Sequence, residues 1–229
     1  MIGITFALPS ESSDLVGQLQ ALRRHDHLLT GKIDNREVAI LHTGVGAKNC
    51  NARLEILLHK TRSRLVISSG FAGAVSEELR VGDLILAQNF SDPELLGGAE
   101  RILRDREPRR VKLFTSTSIV DSIAERNESA RSAGAAAVDM ETGAIVAACD
   151  VHGVPLLSLR AISDTAQQPF PIRPSVLFDI ERQQTSYGRL LAYLIRHPGS
   201  VSSLLQFARR IARVRASLTD AIVALVREL

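Results

Sequence analysis

An α/β fold, with a mostly parallel sheet covered by helices on both faces, is predicted by three features of this 229-residue chain. Short apolar runs of strand length alternate with stretches of helical spacing. Those runs are nearly continuous in apolar residues, as expected of strands buried on both faces. No Gly/Ser/Pro-rich linker or internal repeat divides the chain, and 45% hydrophobic residues can fill one large core. We therefore expect a single domain over residues 1–229, with about 186–229 as a helical C-terminal extension.

Each element follows from a local pattern. Gly3 to Leu8 is a partly β-branched apolar run, read as a buried strand ending at Pro9. Ser12 to Leu19 has helical spacing with Ser or Glu at its start. Leu28 to Asp34 and Glu37 to Thr43 flank Asn35-Arg36 as the arms of a hairpin. Gly44-Val45-Gly46 follows, then a helical stretch from Lys48 to His59. Leu65 to Ser69 reads as a buried strand that stops at Gly70-Phe71-Ala72-Gly73. Val81-Gly82-Asp83 turns into a strand, and Asn89 to Arg110, polar and irregular, reads as a long surface loop. Ser118 to Ala133 is expected to be helical, Ala135 to Met140 a strand, Glu141 to His152 a helix and Val154 to Ala161 a strand. The chain continues through Ser186 to Arg196 and a His197-Pro198-Gly199 break into a long helix from Val201 to Leu229. Leu204, Leu205, Ala208, Ile211, Ala212, Leu218, Ile222, Leu225 and Leu229 fall largely on one face of it, opposite arginines.

Composition narrows the function classes. Cys50 and Cys149 fall in helical stretches without partners at metal-ligand spacing, which predicts buried free thiols in a reducing compartment. The N-terminus lacks a basic n-region and no apolar run reaches about 18 residues, so a cytoplasmic protein is expected. Net charge is only +3, but arginines cluster from Arg101 to Arg110 and at Arg209, Arg210, Arg213 and Arg215. A solvated basic face is the ordinary meaning of such clusters. Nucleic acid is not an expected partner, because aromatics make up only 4% of the chain and none interleave with the arginines. The histidines are scattered, none read as standing at ligand-like spacing with a carboxylate, and no metal is expected.

Ligands of α/β sheets bind beyond the carboxyl ends of the strands. Glu11, Glu141 and Asp164 each fall just past an expected strand end. Gly3-Ile4-Thr5-Phe6-Ala7-Leu8-Pro9-Ser10-Glu11 is the first of four informative stretches, and Thr43-Gly44-Val45-Gly46 the second. The third is Ser69-Gly70-Phe71-Ala72-Gly73 with Val81-Gly82-Asp83, and the fourth runs from Val138-Asp139-Met140-Glu141 to Arg160-Ala161-Ile162-Ser163-Asp164. In order and spacing they resemble the purine/uridine phosphorylase superfamily, in particular its methylthioadenosine/S-adenosylhomocysteine nucleosidase branch. The resemblance implies a three-layer α/β/α sandwich around a mixed, partly barrel-like sheet, usually assembled as homodimers or larger homo-oligomers.

It also implies a reaction, cleavage of the bond between a ribosyl C1′ and a purine N9 in a small-molecule nucleoside. Positive charge builds on the sugar and negative charge on the base, so the base must be protonated, the ribose diol held and a nucleophile presented. Asp164 matches the proton donor to the purine N7, a general acid whose pKa its surroundings must raise; by position alone it is a cap or turn residue. Glu141 matches the ribose ligand, whose two oxygens suit a vicinal diol; otherwise it is an acid in a helix's first turn. Glu11 matches the carboxylate that activates water in nucleosidases, although Pro9 and Ser10 stand where acids are common. Gly70, Phe71, Ala72 and Gly73 would bring backbone close to the ligand, as glycines permit, or form a tight turn. Asp139 and Met140 would border the ribose, and Ile119 would bind the base through its backbone, next to Ser118 where an aromatic is common.

Hydrolysis and phosphorolysis differ only in the nucleophile. A phosphorylase needs phosphate as co-substrate, held by arginines and Gly-rich backbone. Ser68 stands where related phosphorylases place a phosphate arginine, and Glu11 would repel phosphate, which favours hydrolysis with no cofactor. Arg23, Arg24 or Arg36 remain alternative phosphate ligands, from a loop or a neighbouring subunit. The C-terminal extension resembles the hopanoid-associated phosphorylase-like subgroup, which implies adenosylhopane as substrate and a basic amphipathic helix that visits the inner membrane surface. A non-catalytic nucleoside-binding module would be expected to have lost one of the three carboxylates. A dinucleotide-binding oxidoreductase would need a third glycine where Asn49 stands, and a Ser-His-Asp hydrolase would need a Gly-x-Ser-x-Gly elbow.

Overall fold

Alternation along the strands sorts the apolar residues into two layers. In β1 (Ile2–Phe6), Ile2, Ile4 and Phe6 enter one core cluster. Gly3 between them faces the other side, where an added Cβ would lie 3.3 Å from Leu57. Val38 and Ile40 of β4 (Arg36–His42) join the first cluster, while Ala39 and Leu41 join the second. The computed structural model describes residues 1–45, 47–116, 123–169, 178–179, 184–185 and 200–229.

Ten strands form one open, mixed sheet. Besides β1 and β4 they are β2 (Gln20–His25), β3 (Leu28–Ile33), β5 (Leu65–Ala74), β6 (Leu84–Ala87), β7 (Arg109–Val111), β8 (Leu113–Thr115), β9 (Ala137–Asp139) and β10 (Leu156–Asp164). The order is β2-β3-β4-β1-β5-β10-β6-β7, and β9 pairs with β5 and β8. A two-residue pair, β11 (Phe178–Asp179) and β12 (Gln184–Thr185), stands apart. Pairing is parallel from β4 through β1 and β5 to β10, but β2–β3, β3–β4, β6–β10 and β5–β9 are antiparallel. The sheet is thus mixed, as the resemblance implied, rather than mostly parallel.

One face is covered by α1 (Pro9–Gly17), α3 (Pro93–Ile102) and α6 (Ser200–Glu228), which contribute Leu15, Leu96, Ala99, Leu218, Ile222 and Leu225. The other carries α2 (Ala47–Thr61) and α5 (Thr142–Val151), with Leu54, Leu57, Ile145 and Cys149. Helix α4 (Ile123–Ser132) precedes β9. Both cysteines are buried and free, as expected. On α6 the expected apolar face is buried only in its second half; Leu205 is 55% exposed, and Ala208 and Ala212 are exposed as well.

Three local readings need correction. The expected loop from Asn89 to Arg110 contains α3, a 3₁₀ turn (Arg104–Arg106) and β7. Asp92 caps α3 by accepting from the backbone N–H groups of Glu94 and Leu95 at 2.9 and 3.1 Å, with Pro93 in its first turn. Gly97-Gly98 hid the helix, because glycine weakens helical propensity; Gly98 sits 3.3 Å (from its ideal Cβ) under Leu229, just past α6. Strand β2 went unread because it is an exposed edge strand with no alternation, and charged edges deter further pairing. Helix α2 packs on α5, and this brings Glu55, His59 and His152 to one surface patch, so a histidine does stand at ligand-like spacing with a carboxylate.

Candidate active site

Strand β5 organises the site. It does not stop at Ser69, as the glycines suggested, but runs on to Ala74. Gly70 pairs with Arg160, Phe71 with Ala161, Ala72 with Ile162 and Gly73 with Asp164 of β10. On its other edge β5 pairs with β1 up to Ser68, and beyond that Gly73 pairs with Val138 of β9. Glu11 follows β1, Glu141 follows β9 and Asp164 ends β10, so all three carboxylates stand at or just past strands that pair directly with β5.

Glu11 lies in the first turn of α1, where its Oε2 accepts from the Leu8 backbone N–H at 3.0 Å. Such a reach-back fixes the carboxylate at the helix entrance. Burial raises its pKa above the ordinary 4.5, opposed by the backbone N–H of Leu8, the Arg160 charge and the backbone N–H groups of Phe71 and Ala7. The residue as a whole is partly exposed, while the carboxylate is turned inward over Gly70. An atom at the Cβ position of Gly70 would be 2.7 Å from Arg160 Nη1 and 3.4 and 3.5 Å from the two Glu11 oxygens. Gly70 has φ +141°, a conformation that also favours glycine. Its bareness makes room for Arg160 and Glu11, which the sequence had linked instead to the ligand.

Arg160 was legible only as part of a motif, yet it holds the neighbourhood together. It is 3% exposed and ion-paired with Asp139 Oδ2 at 2.9 Å. Its Nη2 also donates to Ser68 Oγ at 2.8 Å and to Thr142 Oγ1 at 2.7 Å. Ser68 thus accepts from an arginine that arrives from β10. An arginine inside the apolar strand Leu156–Asp164 was the missed signal, since a buried charge must find a partner.

Asp139, expected to border the ribose, is occupied otherwise. Besides Arg160, it accepts from Thr115 Oγ1 at 2.9 Å, from the Thr142 backbone N–H at 3.2 Å and from the Thr142 hydroxyl. Thr115 Oγ1 in turn accepts from the Gly143 N–H at 3.0 Å. This network fixes the start of α5, next to Glu141.

Glu141 is buried at 8% exposure and caps α5 without a side-chain capping bond, so the helix does not account for its burial. Its charge reaches the buried Cys50 thiol. Burial first, then Glu141, push that thiol up to about 12, which leaves it inert. Asp164 is 3% exposed and accepts from Ser163 Oγ at 2.8 Å. The pairing register with β5 shifts between Ile162 and Asp164, so the ladder is irregular where the acid stands. Met140 is half-buried next to Glu141. The Ala72 side chain belongs to the core, with only its carbonyl reached by Ser163. Ile119 and Ser118 lie outside the described residues.

A second polar pair adjoins Glu11. Ser12 Oγ lies 2.7 Å from His42 Nε2, both buried. Burial, then the charges of His27, Arg24 and Arg53, lower the His42 pKa to about 4, so its ring is neutral. Of the proposed phosphate arginines, Arg36 bonds the Arg227 carbonyl at 3.2 Å and starts β4, away from the strand ends that carry Glu11 and Asp164. Arg23 and Arg24 lie on the exposed edge strand.

The sequence model of the Phosphorylase superfamily matches residues 1–101 and 88–196. The 5′-methylthioadenosine/S-adenosylhomocysteine nucleosidase of Staphylococcus haemolyticus (strain JCSC1435) is 27% identical over 198 residues, covering 72% of this chain and 87% of that protein. Its counterpart in Staphylococcus aureus (strain MRSA252) matches equally. Among solved structures, the Streptococcus pneumoniae MTA/SAH nucleosidase in complex with 8-aminoadenine superposes with a TM-score of 0.74 at 21% identity, covering 100% of this chain and 99% of that one. Futalosine hydrolase of Helicobacter pylori strain 26695 gives 0.72 at 18% identity, covering 100% and 97%. Matched along most of its sequence and sharing this fold, the chain belongs to the phosphorylase superfamily and within it is similar to the 5′-methylthioadenosine/S-adenosylhomocysteine nucleosidases.

Proposed function

We propose that this chain is a nucleosidase that hydrolyses the N-glycosidic bond of an adenine nucleoside. The reading is supported by the pairing of β1, β9 and β10, at or just past whose ends Glu11, Glu141 and Asp164 stand, with the single strand β5, and by burial that makes Glu11 a weaker acid than usual. A carboxylate of raised pKa is a better base. Glu11 takes a proton from a water on the Gly70 side, and the water oxygen bonds to C1′. The C1′–N9 electron pair leaves with the base, which Asp164 protonates at N7. Glu141 holds the ribose hydroxyls, and its charge steadies the cationic sugar.

Two features support water over phosphate. The buried cation, Arg160, is already neutralised by Asp139, and Glu11 presents a carboxylate beside it. The named relatives are nucleosidases acting on methylthioadenosine and S-adenosylhomocysteine, which makes those two compounds the first substrates to try. An adenine nucleoside with a hopanoid tail is the finer reading. It is supported by the exposed first half of α6, where Leu205, Ala208, Arg209, Ala212 and Arg213 face outward, an arrangement suited to a membrane surface. Among the described residues no helix is long and apolar enough to cross a membrane. We further propose, from the resemblance to the nucleosidase branch, a cytoplasmic enzyme that assembles as a homodimer or larger oligomer.

The test is adenine release from methylthioadenosine, S-adenosylhomocysteine, adenosine, futalosine and a hopanoid nucleoside, with and without phosphate. Release without phosphate is expected, and Asp164→Asn should lower turnover about 10²-fold or more. Dependence on phosphate would transfer the chain to the phosphorylases; a wild-type rate in Asp164→Asn would remove that residue from the acid role.

A further inference from the structure

We propose that Glu55, His59 and His152 form a surface site for a divalent transition-metal ion of the zinc class, remote from the carboxylates and independent of the reaction. Glu55 and His59 stand one turn apart on α2, so their side chains share a face. His152 caps the end of α5, its backbone N–H bonded to the Ala148 carbonyl at 3.3 Å. Cys50, Leu54, Leu57, Ile145 and Cys149 pack the two helices together beneath the cluster. The backbone under all three residues is therefore fixed by the core.

The donor atoms already approach coordination geometry. His59 Nε2 lies 2.9 Å from Glu55 Oε2, and His152 Nε2 lies 3.4 Å from each Glu55 oxygen. One ligand atom from each residue can be chosen so that all lie within 4.8 Å of one another. Tetrahedral zinc, with bonds of about 2.0–2.1 Å, sets its ligand atoms roughly 3.3 Å apart. Two of the edges are close to that value, and the third, between the imidazoles, requires a turn of His59. Its side chain is 69% exposed and free of the core. The rings meet edge to face, with centroids 4.9 Å apart at 89°, so neither lies flat across the other's Nε2.

The donor set selects the ion. Two imidazoles and one carboxylate suit Zn²⁺, and with it Ni²⁺ or Cu²⁺, whereas Mg²⁺ and Ca²⁺ prefer oxygen alone. The Glu55 side chain is 53% exposed, which leaves the remaining coordination position to water. Helix α2 starts close to the strand ends near Glu11 and Asp164. At about 1.5 Å per residue, Glu55 and His59 stand roughly 12 and 18 Å along it from that start. The ion would therefore tie the end of α2 to the end of α5 and bind the folded chain only, raising its melting temperature by mass action.

The experiment uses tag-free full-length protein stripped with EDTA, titrated with ZnCl₂ by calorimetry and melted with and without zinc. One equivalent per chain and a raised Tm are expected, with no response to MgCl₂. His59→Ala and His152→Ala should each weaken binding by about tenfold or more and abolish the Tm rise, while the metal-free Tm stays near wild type. Glu55→Gln, which keeps a hydrogen-bonding oxygen but loses the charge, should also weaken zinc binding. Absence of zinc binding, or binding and melting responses unchanged in both histidine variants, overturns the proposal.

Discussion

Gly70→Ala is the most informative single substitution. The new methyl carbon would fall 2.7 Å from Arg160 Nη1, about a full ångström inside ordinary contact. A long side chain often swings away from such a clash, but this guanidinium is held by Asp139, Ser68 and Thr142. Moving it disturbs an ion pair whose side chains are 3% and 1% exposed. Breaking a buried pair costs about 3–5 kcal/mol, and an alanine at φ +141° adds about 1–3 kcal/mol of backbone strain. Partial relaxation of both leaves an expected destabilisation of about 3–5 kcal/mol, against a typical total of about 5–15. The variant should therefore fold, with a lower urea midpoint. Displacement of Arg160 beside Glu11 should also lower adenine release about 10²-fold, the usual effect of misplacing a catalytic group. Gly97→Ala is the control, because nothing lies within 4 Å of its Cβ and a helical alanine should stabilise by about 0.5–1 kcal/mol. A Gly70→Ala protein with wild-type midpoint and wild-type turnover would refute the account of Arg160.

Two further predictions concern pH. Because burial raises the Glu11 pKa, the acid limb of kcat/KM should lie above the ordinary carboxylate range, and Glu11→Gln should abolish turnover while raising stability at neutral pH; an acid limb at the ordinary position counts against Glu11 as base. His42 should make the fold acid-sensitive. Its pKa falls from 6.5 to about 4 on folding, so between those values only the unfolded chain binds the proton. Stability should drop as pH falls through that window, by at most about 3 kcal/mol before solvent screening is discounted. Urea titrations should show this slope in the wild type and lose it in His42→Gln; equal slopes in both would exclude His42.

Much of this architecture was legible in the sequence for a physical reason. Strands such as Ile2–Phe6 and Leu156–Asp164 are buried on both faces, and continuous apolar runs announce that without reference to the rest of the chain. Glu11, Glu141 and Asp164 were conspicuous as acids next to such runs. Arg160 and Asp139 were not separable from their motifs, because their meaning lies in a contact between β10 and the end of β9. Helix α3 was obscured by a glycine pair, and the one member with a packing reason, Gly98, makes room for Leu229 more than a hundred positions away. Glu55 and His59 stand at helical i, i+4 spacing and were legible as a pair, whereas His152 joins them only through the packing of α5 on α2.

Strand β5 has a consequence for how this molecule can fail. Its two edges are bound by β1, β9 and β10, so loosening this strand disturbs the strand ends beside which Glu11, Glu141 and Asp164 stand. Activity and global cooperativity should therefore vanish together in denaturant, and the amides of Val66 to Ala72 should rank among the slowest to exchange with heavy water.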